Sequence, residues 1–299
     1  MHLPPLADLH RHLDGSLRPS TLAALASARG LAVPPDLAFT PGMGLDAALA
    51  RFAFTLSCLD TLDAIRRVAA EVCEDAAADG VTTLEVRFAP QLHGPPLTEV
   101  VDAALDGLAG RAGLLLCVLY GEPPAMADAL VACAETRLGV VGLDLAGAPL
   151  PSHRVRMGDY APAFTRAAAL GLGRTVHAGE GRPPDELRVA IEDLHAQRIG
   201  HGTTLLEDAE VTDLVVRRGI VLEACPTSNV QTGVIATLDA HPLMAWLARG
   251  VQACINTDNT LLSAVTAREE HRRVESALGL TVAELGALIA TGHRAAFRR

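Results

Sequence analysis

The chain reads as an α/β protein of the (β/α)8 barrel class, on three observations. Eight short apolar runs rich in β-branched residues alternate with longer Ala/Leu/Arg/Glu stretches of helical period. Gly171-Leu172-Gly173, Gly219 and Gly250 stand just ahead of such runs, where a helix should be capped or a turn made. The residue types able to do chemistry gather where the runs finish. Eight strands with intervening helices in 299 residues predict a closed barrel rather than an open doubly wound sheet. No linker, repeat or low-complexity tract divides the sequence, so residues 1–299 are expected to form one domain.

The first strand is predicted near Ala7–Leu9. A long gap follows, residues 20–78, with helical stretches at Leu45–Thr55 and Leu59–Asp75. In barrels of this kind, extra material after a strand lies over the C-terminal mouth. The segment is therefore a candidate lid, with Phe52, Phe54 and Leu56 either lining the mouth or serving as core residues of an outer helix. The next strands are expected near Thr82–Val86, Leu114–Leu119, Val140–Leu145 and Arg174–Val176. The last three fall near Arg198–Ile199, Val221–Ala224 and Gln252–Thr257. Helical patterns lie between them, among them Pro184–Ala196, Asp208–Arg218 and Pro242–Arg249. Pro-rich spots at Pro95-Pro96, Pro123-Pro124, Pro149–Pro151 and Pro183-Pro184 read as barrel loops.

Composition narrows the function. Net charge is −10 and the acidic residues are dispersed, which argues against nucleic acid or an anionic membrane surface as partner. No apolar run is long enough to span a bilayer, and Met1–Leu6 lacks the pattern of a signal peptide. Cys58, Cys73, Cys117, Cys133, Cys225 and Cys254 form no Cys-x-x-Cys pair and sit mostly in apolar stretches. Reduced thiols in a cytoplasmic protein are expected, with Cys225 and Cys254 as secondary candidates for lining a pocket. Every one of the 25 basic residues is arginine. Without lysine, a Schiff base, a lysine nucleophile and a carbamylated lysine bridging two metals are all excluded.

Four fragments carry the chemistry: His10-Arg11-His12-Leu13-Asp14-Gly15, His177-Ala178-Gly179-Glu180, Gly200-His201-Gly202 and Asn256-Thr257-Asp258-Asn259. Alternate residues of a strand share a face, so His10 and His12 can reach one ion. With His177 and Asp258 they offer three imidazoles and a carboxylate, the donor set of a mononuclear catalytic zinc site. Such an ion lowers the pKa of its bound water, so that hydroxide is available near neutral pH. His201, between two glycines, is placed either to take the water's proton or to hold the hydroxide in position. Glu180, three residues past His177, can reach the same cavity and give a proton to a substrate nitrogen. His93, His153, His195, His271 and His293 show no ligand spacing, and His2 is terminal. The Arg-Arg pairs at 66–67, 217–218, 272–273 and 298–299 read as solvated helix faces.

These motifs resemble those of the adenosine deaminase family, amidohydrolase-like TIM barrels, over nearly the whole chain. The likeness extends through Leu84-Glu85-Val86-Arg87-Phe88-Ala89-Pro90, Gly142-Leu143-Asp144-Leu145-Ala146-Gly147 and Arg198-Ile199-Gly200-His201-Gly202. It continues in Glu223-Ala224-Cys225-Pro226-Thr227-Ser228-Asn229 and His241-Pro242, although the role of that last pair does not follow from sequence. The resemblance implies one Zn2+ per chain on His10, His12, His177 and Asp258. It implies that Glu180 protonates purine N1 and that His201 and Asp258 orient the attack on C6. Gly147 would donate its backbone N–H to N3, Asp14 would bind the ribose 5′-hydroxyl, and His12 would also border the substrate. The family often carries a second Asp that serves N7; here Asn259 takes that place, and its amide can donate directly.

The substrate implied is a 6-aminopurine nucleoside, adenosine or 2′-deoxyadenosine by default. Asp14 favours a nucleoside over free adenine, because related adenine deaminases tend to have Glu there. The chain is shorter than many relatives between strands two and five. That leaves a 5′-extended nucleoside such as 6-amino-6-deoxyfutalosine, of menaquinone biosynthesis, as the alternative substrate. A different mononuclear barrel hydrolase would not need Glu180 where it stands. A non-catalytic nucleoside-binding protein would be expected to have lost Glu180, His201 or a ligand. The sequence leaves oligomeric state open.

Overall fold

The computed structural model describes residues 3–298; Met1, His2 and Arg299 lie outside the described residues. Among the described residues the chain runs β1 (Leu6–His12), α1 (Pro19–Ala28), α2 (Leu45–Cys58), α3 (Leu62–Ala78), β2 (Val81–Phe88), α4 (Leu97–Leu108) and β3 (Gly113–Leu119). It continues through α5 (Pro124–Glu135), β4 (Val140–Ala146), α6 (Ala161–Ala169), β5 (Gly173–Ala178), α7 (Asp185–Glu192), β6 (Arg198–His201) and α8 (Ala209–Arg218). The last elements are β7 (Val221–Ala224), α9 (Pro226–Gln231), α10 (Leu243–Ala248), β8 (Gln252–Ile255), α11 (Ala267–Leu278) and α12 (Val282–Ala295).

The eight strands form one parallel sheet in sequential order, β1 to β8, ringed by helices. Each predicted strand is present. β1 differs most, running on to His12, so that both of its histidines are strand residues. The strands are buried on both faces, inside against one another and outside against helices, which is why they read as unbroken apolar runs. The barrel closes between β1 and β8 largely beyond the end of β8. Asp258 donates its backbone N–H to His10 O at 2.8 Å and accepts from His12 N at 2.8 Å. The Asn256 side chain accepts from Leu9 N at 2.8 Å. Closure of the barrel therefore fixes Asp258 beside the two β1 histidines.

Local chemistry sets the helix ends. Thr61 caps α3 by accepting from Ala64 N at 3.2 Å. Asp208 caps α8 through Glu210 N and Val211 N, and Gly219 ends that helix at φ 64°. The segment between the first two strands is not a lid throughout. Its second predicted helix, α3, packs on α4 and β2 as an ordinary outer helix of the barrel. Only α2 and the stretch before it cover the mouth. Phe52 and Leu56 face the cavity there, whereas Phe54, two positions from Phe52, turns to the apolar core. Arg298 lies beyond the end of α12 and so is not on a helix face, while Arg299, its partner in the last arginine pair, lies outside the described residues. No helix among the described residues is long and apolar enough to cross a membrane.

Candidate active site

The fragments singled out in the sequence meet at the C-terminal mouth of the barrel. His10 is fully buried; its Nδ1 lies 2.7 Å from Glu223 Oε2, while its Nε2 has no hydrogen-bond partner. His177 Nδ1 is 3.1 Å from Asp144 Oδ1, and its Nε2 faces His12 Nε2 at 3.3 Å. A carboxylate at Nδ1 holds the proton there and turns the Nε2 lone pair inward. Asp258 Oδ1 stands 3.6 Å from His10 Nε2 and 3.5 Å from His12 Nε2. An orphaned buried ring nitrogen, two ring nitrogens turned on one another and a carboxylate oxygen within 4 Å make a set that fits a divalent cation.

Two donor sets overlap at His10. His10, His12 and His177 form one, with ligand atoms all within 4.8 Å of one another; His10, His201, Cys225 and Asp258 form the other. Cys225 is thus close to the candidate centre. Cys254 is not: its thiol points to Leu222 O at 3.8 Å, and it packs with Leu9 and Val221 inside the barrel. The expectation that Cys254 lines the pocket fails because it sits deeper in the barrel, in a layer with Leu9 and Val221 against which Ala295 and Ala296 pack.

A cavity of about 350 Å³ opens beside these groups, bordered by His12, Asp14, Gly147, Glu180, His201 and Asn259. No arginine among the described residues lines it. Its roof is the apolar face of α2, with Phe52 edge-on to the His12 ring at a centroid distance of 6.1 Å. Glu180 is buried, and burial raises its pKa above the ordinary carboxylate value. Thr232 Oγ1 lies 3.5 Å from Glu180 Oε1. Asp14 is buried with Oδ1 unpartnered; burial pushes it up to about 7, against the opposing pull of nearby backbone N–H groups. Asn259 Oδ1 is likewise buried and unpartnered. A Cβ on Gly15 would stand 2.0 Å from that oxygen, so only glycine allows Asn259 this close.

His201 and Asp258 are two of the five non-glycine residues with positive φ among those described, at 66° and 62°. Backbone held in this region costs energy that the surrounding structure must supply. Burial also drives the His201 imidazole down to about 3, so it stands neutral. Sequence reasoning missed Cys117, Tyr120 and Thr232, which also border the cavity. For Cys117 the signal was its place toward the end of a strand. It missed as well the roles of Asp144 and Glu223, whose signal was a lone carboxylate inside an otherwise apolar strand.

Four imidazoles and three buried carboxyls, Asp14, Glu180 and Asp258, at the mouth of an eight-stranded parallel barrel define an amidohydrolase-like enzyme. The family model described as adenosine deaminase matches residues 5–299. The adenosine deaminase of Erwinia tasmaniensis is 36% identical over 319 residues, covering 98% of this chain and 94% of that one. Adenine deaminase from Arthrobacter aurescens superposes with a TM-score of 0.90 at 28% identity, covering 99% of this chain and 95% of that chain. A Burkholderia ambifaria amidohydrolase solved with bound Zn gives a TM-score of 0.85 at 26% identity, covering 99% and 86%. The chain belongs to the adenosine deaminase family and is a hydrolytic deaminase acting on C–N bonds.

Proposed function

We propose that the protein deaminates a 6-aminopurine nucleoside, adenosine or 2′-deoxyadenosine, to the 6-oxo product and ammonia, with one Zn2+ held by His10, His12, His177 and Asp258. The observation that carries the reading is Glu180: a buried carboxyl with raised pKa that borders the same cavity as His12, His177 and Asp258. When bound, the ion supplies Lewis acidity and lowers the pKa of water, so that a hydroxide equivalent is available near neutral pH.

Glu180 holds its proton in the buried site and passes it to purine N1, which withdraws electrons from C6. Water adds at C6; one of its protons passes to the 6-amino nitrogen and the other returns to Glu180, and neutral ammonia leaves as the C–N bond breaks. His201 and Asp258, both bordering the cavity, orient the incoming oxygen. The Gly147 N–H serves N3, and the Asn259 amide serves N7. Asp14, with an oxygen free of protein partners, receives the ribose 5′-hydroxyl. The α2 face excludes water from above. The absence of arginine from the lining supports a neutral nucleoside over a 5′-phosphate. All six cysteines are free and buried, which supports a cytoplasmic setting. The same reading takes residues 1–299 as one domain.

Glu180→Gln tests the assignment. The variant should retain zinc and bind nucleoside, measured by metal analysis and calorimetry, while kcat falls roughly 10²–10⁴-fold. Turnover near the native rate would remove Glu180 from the mechanism.

A further inference from the structure

His241 is buried in the connection between β7 and α10 and reaches the groups assigned above through one residue, Asn229. The Leu243 N–H donates to His241 Nδ1 at 3.2 Å. Leu243 opens α10 directly after Pro242, so this amide belongs to the first turn and has no partner within the helix. A backbone N–H can only donate, so Nδ1 of His241 is an acceptor and the single proton of the neutral ring lies on Nε2. Burial keeps this imidazole neutral. Its Nε2–H then points at Asn229 Oδ1, 3.4 Å away. That contact fixes the Asn229 amide with Nδ2 turned to His201 Nδ1 at 3.0 Å. Asn229 and His201 are themselves buried, and the edge of His241 is pinned on Trp246 with ring centroids 5.2 Å apart.

We propose that His241 and Asn229 set the tautomer of His201, leaving its proton on Nε2, on the side of the ring away from Asn229. His201 then meets the reacting atoms as a hydrogen-bond donor that holds the nucleophilic oxygen, and not as the base that first takes its proton. His241 and Asn229 are positioning residues. The chain of donors begins at one backbone amide, and the His-Pro pair is what presents it. This inference rests on His201 facing the reaction, yet its first readout needs no turnover.

The experiment is long-range 1H–15N correlation of the histidine rings in zinc-loaded, 15N-labelled protein. The wild type should show His201 as the neutral Nε2–H form. In Asn229→Asp the carboxylate can only accept, so His201 should switch to Nδ1–H, with kcat falling roughly 10²-fold and KM little changed. An Nδ1–H or imidazolium pattern for wild-type His201 would overturn the proposal, as would an unchanged tautomer in folded Asn229→Asp. If the variant does not fold, the wild-type spectrum alone decides. Loss of deamination with the Nε2–H pattern intact would count against the proposed activity and not against this relay.

Discussion

Arg198, at the start of β6, and Asp14, just past β1, are both more than nine-tenths buried, and the fold treats them in opposite ways. Arg198 lies on the barrel floor among partners. Its Nε donates to Glu223 Oε1 at 2.7 Å, its NH1 donates to Ala295 O at 2.8 Å, and it pairs with Glu85. The Phe297 ring covers its guanidinium at 3.6 Å. Glu223 in turn accepts from Thr175 and Arg87 and holds His10. At the mouth, His10 Nε2, Asp14 Oδ1 and Asn259 Oδ1 are buried without partners. Charges buried in pairs fix geometry; polar atoms buried alone wait for something to bind. Glu223 joins the two regions, since one carboxylate anchors the floor arginines and orients a candidate ligand.

That difference can be broken at three places. Glu223→Gln should be the most damaging, because it removes the carboxylate that Arg87 and Arg198 share in a dry site and leaves each with a single one, Asp144 and Glu85. Destabilisation of about 3–5 kcal/mol is expected in denaturant unfolding. Zinc affinity in a chelator competition should fall roughly 10- to 100-fold, through the loosened His10 ring. If stability falls and zinc affinity does not, floor and mouth are not coupled through Glu223.

Asp14→Ala removes a buried carboxyl whose Oδ1 has no protein partner and whose other contacts are local backbone N–H groups, so stability should change little while nucleoside binding suffers. KM for adenosine should rise roughly 10- to 100-fold with adenine nearly unaffected. Equal losses for both would mean that Asp14 does not read the sugar. Phe52→Ala should act least. It removes an edge-on contact with His12 worth about 0.5–1.5 kcal/mol, so KM should rise only a few-fold. A collapse of kcat instead would make the α2 roof part of the chemistry.

The floor and the mouth also differ in how far the sequence reveals them. Strand positions were legible because a strand buried on both faces leaves a continuous apolar run, and His10, His12, His177 and Asp258 converge as their strand ends predict. The helix α3 was misplaced as lid material because an amphipathic pattern shows that a face is buried but not against what. For the same reason the sequence leaves Phe54 open between cavity and core, and the structure places it against the core. Asp144 and Glu223 could be seen only as odd carboxylates; their bonds to His177 and His10 span 33 and 213 residues of chain. Asn229 and His241 were noticed as motif members, but the hydrogen bonds that give them a role exist only in three dimensions.

The most direct test of the central claim is ammonia release by the zinc-loaded protein, compared by kcat/KM across adenosine, 2′-deoxyadenosine, adenine, AMP and 6-amino-6-deoxyfutalosine. A mouth with an unpartnered carboxyl oxygen for the sugar and, among the described residues, no arginine for a phosphate predicts that adenosine and 2′-deoxyadenosine lead and that AMP is poor. A lead for adenine or AMP would contradict the reading of Asp14 and of the cavity lining. A lead for the 5′-extended nucleoside would keep the deamination chemistry and assign the mouth a different substrate.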